Sequence, residues 1–380
     1  MNRDAGAVIV AARRSPIGTA GHGLAGCTAA ELAAPVVAAV VDDAALPADE
    51  VDEVVLGNCM GPGGDVARVA ALQAGLPVTV PGLTVDRQCA SGLAAIGIGG
   101  ALVRDGAAVV LAGGVESAST APWRFWPPAP GGEPQRYLRA PFAPAALGDP
   151  DMGAAADDLA AAAGVLRERQ DRYAARSHAA AWTTQQAGGF AAELVAVGRV
   201  EADERPRAGM TRDRLARLRP LHRADGTVTA GNSCGINDGA AVVAMVDSST
   251  WQRLDRPGLR ILAVATAGVD PRLPGRGLVP AVRLALRRAG LELDDVDVIE
   301  FNEAFAGQIL ACCDELGLDE HRVCVEGGAL ALGHPWGASG AVLVVRLFTQ
   351  LVRRGRGRFG LAAVAAGGGQ GVAMVVEACR

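Results

Sequence analysis

Cys89 and His334 are the two side chains of this sequence best suited to nucleophilic catalysis. Cys89 stands in TVDRQCASGLAAIGIGG, where a β-rich run ends and an apolar helical pattern begins. A thiol at a helix N-terminus lies near free backbone N–H groups and the positive end of the helix dipole, which lower its pKa. His334, in GGALALGHPWGASG, precedes a second such helix, a setting that no other His of the five has. Since an imidazole can accept a thiol proton, the pair predicts an activated cysteine nucleophile.

Taken singly, these residues leave other interpretations open. A lone Cys is often an inert buried thiol, and a lone His often caps a helix or packs in the core. Asn302, in EFNEAFAG, is a neutral donor where a β-rich run ends, but Asn also commonly closes turns. The segment GTVTAGNSCGINDGAA is dense in turn-forming and small residues, which suits a loop that follows a ligand. Whether Cys89 and His334 act together therefore depends on how the whole chain is arranged.

The chain repeats one module. LPADEVDEVVLGN (46–58) matches LELDDVDVIEFNE (291–303), and ASGLAAIGIGGALVRDG (90–106) matches ASGAVLVVRLFTQLVRRG (338–355). A strand-like run that ends on paired glycines follows both 90–106 and 338–355. Alternating strands and helices in two related copies predict an α/β protein of two halves. If the halves pack with pseudo-twofold symmetry, Cys89 and His334 meet in one cavity.

The segment between the halves has a different character. PWRFWPPAPGGEPQRYLRAPFAP is rich in Pro and Gly and lacks periodicity, which indicates a structured excursion or lid, and helices are expected over 154–188. We therefore predict four units, which are an N-terminal half, an inserted substrate- and coenzyme-binding domain, the end of the first half with a linker, and a C-terminal half. Their ranges are 1–119, 120–235, 236–257 and 258–380.

Composition excludes several classes of protein. The 380 residues carry a formal net charge of −5 with scattered Arg, so we expect no nucleic-acid partner. The eight Cys form no CxxC pair and no Cys/His ladder, so we expect no metal site and no disulfide framework. No apolar run reaches the ~18 residues of a membrane span, and no signal-peptide pattern opens the chain. The chain contains no Lys, which excludes Schiff-base and P-loop lysines. A cytoplasmic protein without membrane contact is expected.

In these residues the sequence resembles the thiolase family. The matching motifs come in the family's order and span nearly the whole chain; they are DRQCASGLAA, VTAGNSCGINDGAA, NEAFA, GGALALGHPWGASG and GGGQGVAM. The resemblance implies two βαβαβαββ halves in a five-layered αβαβα core, with a loop domain inserted after the first half. It also implies a homodimer, with a tetramer left open, and coenzyme A thioester substrates with no permanently bound cofactor.

The resemblance assigns roles to individual residues. Cys89 is implied to be the acylated nucleophile, and His334 to activate it and to bind a thioester oxygen. Asn302 is implied to hold a water that completes this oxyanion site. The backbone N–H groups of Cys89 and Gly367 are implied to form a second oxyanion hole. Less closely matched positions for substrate or coenzyme A binding are Met152, Arg207, Cys234, Phe305 and Trp336.

One departure from the family affects the chemistry. Ala365 stands where active thiolases carry a second Cys, which removes a proton from the α-carbon of the second acyl-CoA or returns one during cleavage. The alanine side chain has no group that can accept or donate a proton. The loss matters because general-base catalysis contributes about 10²–10⁴-fold. Other departures occur in the motifs around the site, namely Trp336 after His-Pro, Cys234 in place of Ser, Glu326 in place of Asn and Asp151 in place of His.

Four functions follow from this pattern. The first, which we favour, is acyl transfer through acyl-Cys89 to an amine, alcohol or thiol acceptor, because such acceptors need no carbanion base. The second is a decarboxylative condensation, as in ketoacyl synthases. The third is a genuine acetyl-CoA acetyltransferase in which Cys234 or Glu326 replaces the missing base. The fourth is a non-catalytic acyl-CoA-binding subunit.

Overall fold

The computed structural model describes residues 6–380, in which strands and helices alternate over most of the chain. The strands are β1 (Val8–Arg14), β2 (Gly18–Thr19), β3 (Glu53–Gly57), β4 (Gly82–Val85), β5 (Val109–Ser117), β6 (Arg124–Trp126), β7 (Gln135–Tyr137), β8 (Asn237–Val246), β9 (Gly258–Gly268), β10 (Val298–Phe301), β11 (Phe359–Ala366) and β12 (Gln370–Cys379). The helices are α1 (Ala29–Ala44), α2 (Val66–Gln73), α3 (Ser91–Arg104), α4 (Met152–Ala162), α5 (Arg167–Gln186), α6 (Arg212–Leu215), α7 (Ser248–Leu254), α8 (Leu278–Ala289), α9 (Ala306–Leu316), α10 (Ala329–Leu332) and α11 (Trp336–Leu347).

The sheet order shows the duplication. The strands run β10-β11-β12-β9-β1-β8-β5-β3-β4, and β2 pairs with β8. Reading outward from the β1–β9 junction gives β1-β8-β5-β3 on one side and β9-β12-β11-β10 on the other. β3 and β5 are parallel, as are β10 and β11, while β8 and β12 are antiparallel to their neighbours. The two halves therefore have the same strand arrangement around a pseudo-twofold axis.

A repeated aspartate fixes equivalent corners in the two halves. Asp52 accepts hydrogen bonds from the N–H groups of Ala108 and Val109 at the start of β5. Asp297 accepts from the N–H groups of Arg358 and Phe359 at the start of β11. Each aspartate follows a short 3₁₀ turn and precedes the strand paired with the one it caps. The matching residues at 46–58 and 291–303 therefore form equivalent hydrogen bonds to the starts of β5 and β11.

Three hydrophobic clusters separate five layers. One cluster joins α3 and α11 to the inner faces of both halves of the sheet. A second joins α1 and α2 to the outer face of the first half, and a third joins α8 and α9 to the outer face of the second half. The α/β class and the layered αβαβα core implied by the resemblance are confirmed.

The two central helices cross at glycines of the repeated Ala-Ser-Gly. A Cβ on Gly92 of α3 would lie 2.7 Å from the carbonyl oxygen of Gly337, and a Cβ on Gly340 of α11 would lie 2.5 Å from the backbone nitrogen of Leu93. Because real Cβ atoms do not approach backbone so closely, both positions require glycine. This contact holds the N-termini of α3 and α11 side by side.

The chain leaves the sheet after β5 and returns at β8. The intervening segment holds the β6–β7 hairpin and the helices α4, α5 and α6. The hairpin carries stacked rings of Trp126 and Tyr137 with centroids 4.8 Å apart, and the Arg136 guanidinium lies 4.0 Å from the centroid of the Trp123 ring. The residue ranges of the four units given above stay a prediction. No helix within residues 6–380 is both long and apolar enough to cross a membrane.

Candidate active site

A cavity of about 90 Å³ opens where α3 and α11 begin. Most of the side chains singled out from the sequence line it, as does Gln308 of α9. They are Cys89, Met152, Cys234, Phe305, His334, Trp336 and Ala365. Both halves of the chain and the inserted segment therefore line the same cavity, as a site shared between duplicated modules requires.

The turn that carries Cys89 is held by hydrogen bonds. Gln88, the preceding residue, has a φ of 49°, a left-handed conformation that side chains other than Gly adopt only with strain. The Ser91 hydroxyl donates to the Gln88 carbonyl at 2.7 Å and accepts from the Arg87 N–H at 2.7 Å. The Cys59 thiol donates to the same carbonyl at 3.0 Å. These contacts fix Cys89 at the start of α3.

The charge state of Cys89 differs from the sequence-based expectation. Burial raises the pKa of the Cys89 thiol to about 12, although its own N–H and the Gly367 N–H hydrogen-bond to the sulfur and favour the thiolate. Glu116 and Asp86 act in the same direction as burial. The prediction of a lowered pKa was wrong because desolvation outweighs the N–H groups of the helix end. The resting nucleophile is a neutral thiol.

His334 is oriented by neighbours on both sides of its ring. The Ser339 hydroxyl donates to the Pro335 carbonyl at 3.0 Å, so its oxygen accepts from the Nδ1–H of His334 at 2.5 Å. This assigns the proton to Nδ1 and leaves Nε2 as the unprotonated nitrogen. The Asn302 side-chain amide lies 3.4 Å from Nε2. The imidazole is therefore set to receive a proton at Nε2.

The pH dependence of acylation follows from this neutral pair. Burial lowers the pKa of His334 to about 4, so the imidazole stays unprotonated above that pH. With Cys89 protonated up to about pH 12, the reactive pair is present throughout the neutral range. We expect the rate constant for Cys89 acylation to be flat between about pH 5.5 and 8.5, measured by rapid quench and mass spectrometry. An inflection near pH 6.5, the ordinary His value, would contradict this assignment.

Asn302 lies beside Nε2 of His334. It lines a second cavity of about 20 Å³ together with Glu300, Ser339 and Arg346. That volume is enough for one water molecule. The Asn302 Oδ1 atom is buried and has no hydrogen-bond partner among the described residues. Asn302 does not line the cavity that holds Cys89 and His334, so the water-holding role that the resemblance gives it stays a prediction.

Gly367 touches the inserted segment. A Cβ on Gly367 would lie 2.5 Å from the Phe142 ring, and one on Gly368 would lie 2.6 Å from the Phe142 carbonyl oxygen. Arg139 lies 4.5 Å over the same ring and pairs with Asp149 at 2.8 Å. The triple glycine thus lets the segment pack directly on backbone whose N–H faces the nucleophile.

Two further residues proposed from the sequence lie outside the cavity of Cys89. Glu326 does not line the cavity; its buried carboxylate pairs with Arg346, Arg354 and Arg356. It is therefore excluded as the substitute base, because it is paired with three guanidinium groups outside the cavity that holds the nucleophile. Arg207 is exposed and does not line the cavity either.

Three side chains that position the site were not predicted from the sequence. Ser339 orients His334, just as Ser91 shapes the Cys89 turn, and both belong to the repeated Ala-Ser-Gly that could have identified them. Glu116 on β5 is buried and accepts from the N–H groups of Cys59 and Gly337 at 3.1 and 3.0 Å. It ties the first half to the start of α11, and no local sequence signal marks it.

Comparison with known proteins gives one consistent family. Residues 7–249 match the thiolase N-terminal domain and residues 256–378 match the thiolase C-terminal domain. The chain is 41% identical to a putative acetyl-CoA C-acetyltransferase, YhfS, of Bacillus subtilis, over 98% of this chain and 99% of that protein. It is 43% identical to an acetyl-CoA acetyltransferase of Pseudomonas aeruginosa, over 97% and 98% of the two chains. The crystal structure of the Bacillus anthracis acetyl-CoA acetyltransferase matches all of both chains with a TM-score of 0.92 and 39% identity.

Proposed function

This chain belongs to the thiolase family, and on that premise we propose that it transfers an acyl group from coenzyme A through a thioester of Cys89. Its relatives are named acetyl-CoA acetyltransferases, so the chain is an acyltransferase of this family. The observation that carries the proposal is the placement of Cys89 and His334 in one cavity, with Nε2 of His334 unprotonated.

The acylation step uses groups already in place. Nε2 of His334 accepts the Cys89 thiol proton as the sulfur attacks the acyl carbon of an acyl-CoA. The backbone N–H groups of Cys89 and Gly367, which face the sulfur, stabilise the developing oxyanion. The carbon–sulfur bond to coenzyme A breaks, and the departing thiolate takes the proton from His334. Acyl-Cys89 and free coenzyme A result.

The acceptor of the second step is defined by its chemistry. Ala365 lines the cavity and has no titratable group that could act as a base. Acceptors that bring their own nucleophilic heteroatom (an amine, an alcohol or a thiol) are therefore the simplest fit. One observation favours a carbon acceptor as a second candidate, which is the thiol of Cys234 in the same cavity. A homodimer belongs to the same proposal, and the exposed apolar residues on α2, on edge strand β4 and in the loop between them support it. They are Val69, Leu72, Val78 and Leu83.

The test is an acylation panel. Incubation of the protein with a series of acyl-CoA thioesters, followed by peptide mass spectrometry, is expected to add one acyl mass to the peptide that contains Cys89. Addition of coenzyme A should then remove that mass. If no thioester of a broad panel acylates Cys89, the proposal fails and a non-catalytic acyl-CoA-binding role gains. If only malonyl-type thioesters give a carbon–carbon product, decarboxylative condensation gains instead.

A further inference from the structure

The cavity holds three side chains that can exchange a proton. Among the described residues that line it, these are Cys89, His334 and Cys234; the others are Met, Ala, Pro, Gly, Phe, Gln and Trp. Cys89 and His334 are occupied by the acylation step described above. Cys234 has no part in that step. A thiol is the same chemical group that Ala365 lacks, so the question is whether Cys234 is placed to act.

Cys234 lies within electrostatic range of the nucleophile. A charge on Cys89 raises the pKa of Cys234, the largest effect on it after burial. Its sulfur makes no hydrogen bond to another described residue; its own N–H is the one hydrogen-bond donor that favours the thiolate. A ligand in the cavity would therefore meet a thiol with free hydrogen-bonding capacity. The neighbouring residues decide whether that thiol is held or mobile.

The backbone around Cys234 is fixed against the strand end that carries Asn302. The Cys234 N–H donates to the Ala304 carbonyl at 2.9 Å, and Ser233 forms a β-bridge with Phe305. The Ser233 hydroxyl donates to the Thr229 carbonyl at 2.6 Å. A group held on rigid backbone beside the nucleophile has the pre-organisation that proton transfer needs.

A cation lies beside this thiol. A Cβ on Gly235 would lie 2.3 Å from Nη1 of Arg205, which places the guanidinium against the Cys234 loop. Arg205 forms no ion pair with any acidic side chain in residues 6–380, and its Nε is buried without a partner. Its charge favours the thiolate form of Cys234. An unpaired guanidinium next to a thiol is what a thiol that must pass through an anionic state requires.

From this arrangement we infer that Cys234 is the acid/base of a carbon–carbon step, so that the acceptor of the acyl group is a second acyl-CoA. The inference rests on the proposed acyl-Cys89 function. In condensation, His334, neutral again after acylation, takes the proton of the Cys234 thiol, and the Cys234 thiolate removes a proton from the α-carbon of an acyl-CoA. The enolate carbon then attacks the carbonyl of acyl-Cys89. The new carbon–carbon bond forms, the bond to the Cys89 sulfur breaks, and the departing Cys89 thiolate takes the proton held by His334, so that both thiols end protonated.

In cleavage the same groups run in reverse. His334 takes the Cys89 proton as the sulfur attacks the ketone carbon of a 3-ketoacyl-CoA, the carbon–carbon bond breaks, and the Cys234 thiol gives its proton to the enolate carbon. The proton held by His334 then restores the Cys234 thiol, and coenzyme A removes the acyl group from Cys89 by the reverse of the acylation step. Burial raises the pKa of Cys234 to about 12, so the resting group is a protonated thiol, the form that cleavage needs first.

The test separates acylation from proton transfer at carbon. In Cys234→Ser, acylation of Cys89 by acetyl-CoA should stay within about threefold of wild type. Thiolysis of acetoacetyl-CoA, and deuterium uptake into the acetyl-CoA methyl group in D₂O, should fall by about 10²–10⁴-fold. Adding Ala365→Cys to that variant should restore both, because it returns a thiol to the same cavity. Cys379→Ser, at the end of β12, is the matched control and should change neither rate.

Each outcome decides one proposal. If Cys234→Ser thiolyses acetoacetyl-CoA and exchanges deuterium like wild type, Cys234 is not the acid/base. If the wild-type protein acylates Cys89 but neither thiolyses nor exchanges, this inference fails and acyl transfer to a heteroatom acceptor stands. If Cys89 is not acylated at all, the proposed function itself fails.

Discussion

Replacing Cys89 by alanine is expected to lower kcat for acyl transfer by on the order of 10⁶-fold and to abolish the acyl-protein species. The reason is that the remaining site has no second route of comparable speed. His334 can still accept a proton and the Gly367 N–H can still stabilise an oxyanion, but no covalent intermediate divides the reaction into two easier steps. Turnover is to be measured by release of coenzyme A from the best thioester of the panel.

The control for Cys89→Ala is a thiol outside the site. Cys379 is half-buried, and its thiol donates to the Gly258 carbonyl at 3.4 Å, in a part of the sheet that the cavity does not reach. Cys379→Ser should keep full turnover and full acylation. Acyl mass that persists in Cys89→Ala and maps to Cys234 would show that the two thiols have been assigned in the wrong order.

Replacing Glu193 by alanine is expected to reduce the free energy of unfolding by about 3–5 kcal/mol. Glu193 is fully buried and accepts from Arg14 at 2.8 Å, from Arg346 at 2.5 Å and from Thr349 at 2.7 Å. Both guanidinium groups also contact the Phe190 ring, at 5.4 and 4.7 Å from its centroid. Removing the carboxylate leaves two buried cations with fewer counter-charges, which costs more than the ion pairs contribute in the intact protein.

The matched control is an exposed carboxylate of the inserted segment. Glu168 pairs with Arg172 one helical turn away, and both side chains are more than half exposed. Glu168→Ala should change the unfolding free energy by less than about 0.5 kcal/mol, because solvent screens the pair. Urea unfolding at pH 7, followed by circular dichroism, compares the two variants. A loss below about 1 kcal/mol in Glu193→Ala would mean that water or repacking compensates both arginines.

The repeated sequence module predicted more of the site than any single motif did. Two copies of Ala-Ser-Gly before two apolar helices suggested that Cys89 and His334 share a cavity, and the structure places both there. The same repeat carries Ser91 and Ser339, which position the turn and the imidazole. A repeat predicts spatial pairing because symmetric packing brings equivalent ends of equivalent elements together.

Long-range packing accounts for what the sequence left undecided. Glu326 and Cys234 were equal candidates for a substitute base, but Glu326 lies within an arginine cluster while Cys234 lines the cavity. Glu116 joins β5 to α11 across more than two hundred residues of chain. No local pattern records which distant backbone N–H groups a buried carboxylate will meet.

The sequence by itself determined the family, the two related halves and the chemical groups of the site, including the absence of an acid/base group at Ala365. These follow from residue identity and order, which folding does not alter. Only the tertiary structure decided the protonation states of those groups. Cys89 rests as a thiol and His334 as a neutral imidazole because both are removed from water. Desolvation depends on every element that covers a group, and those elements come from both halves of the chain.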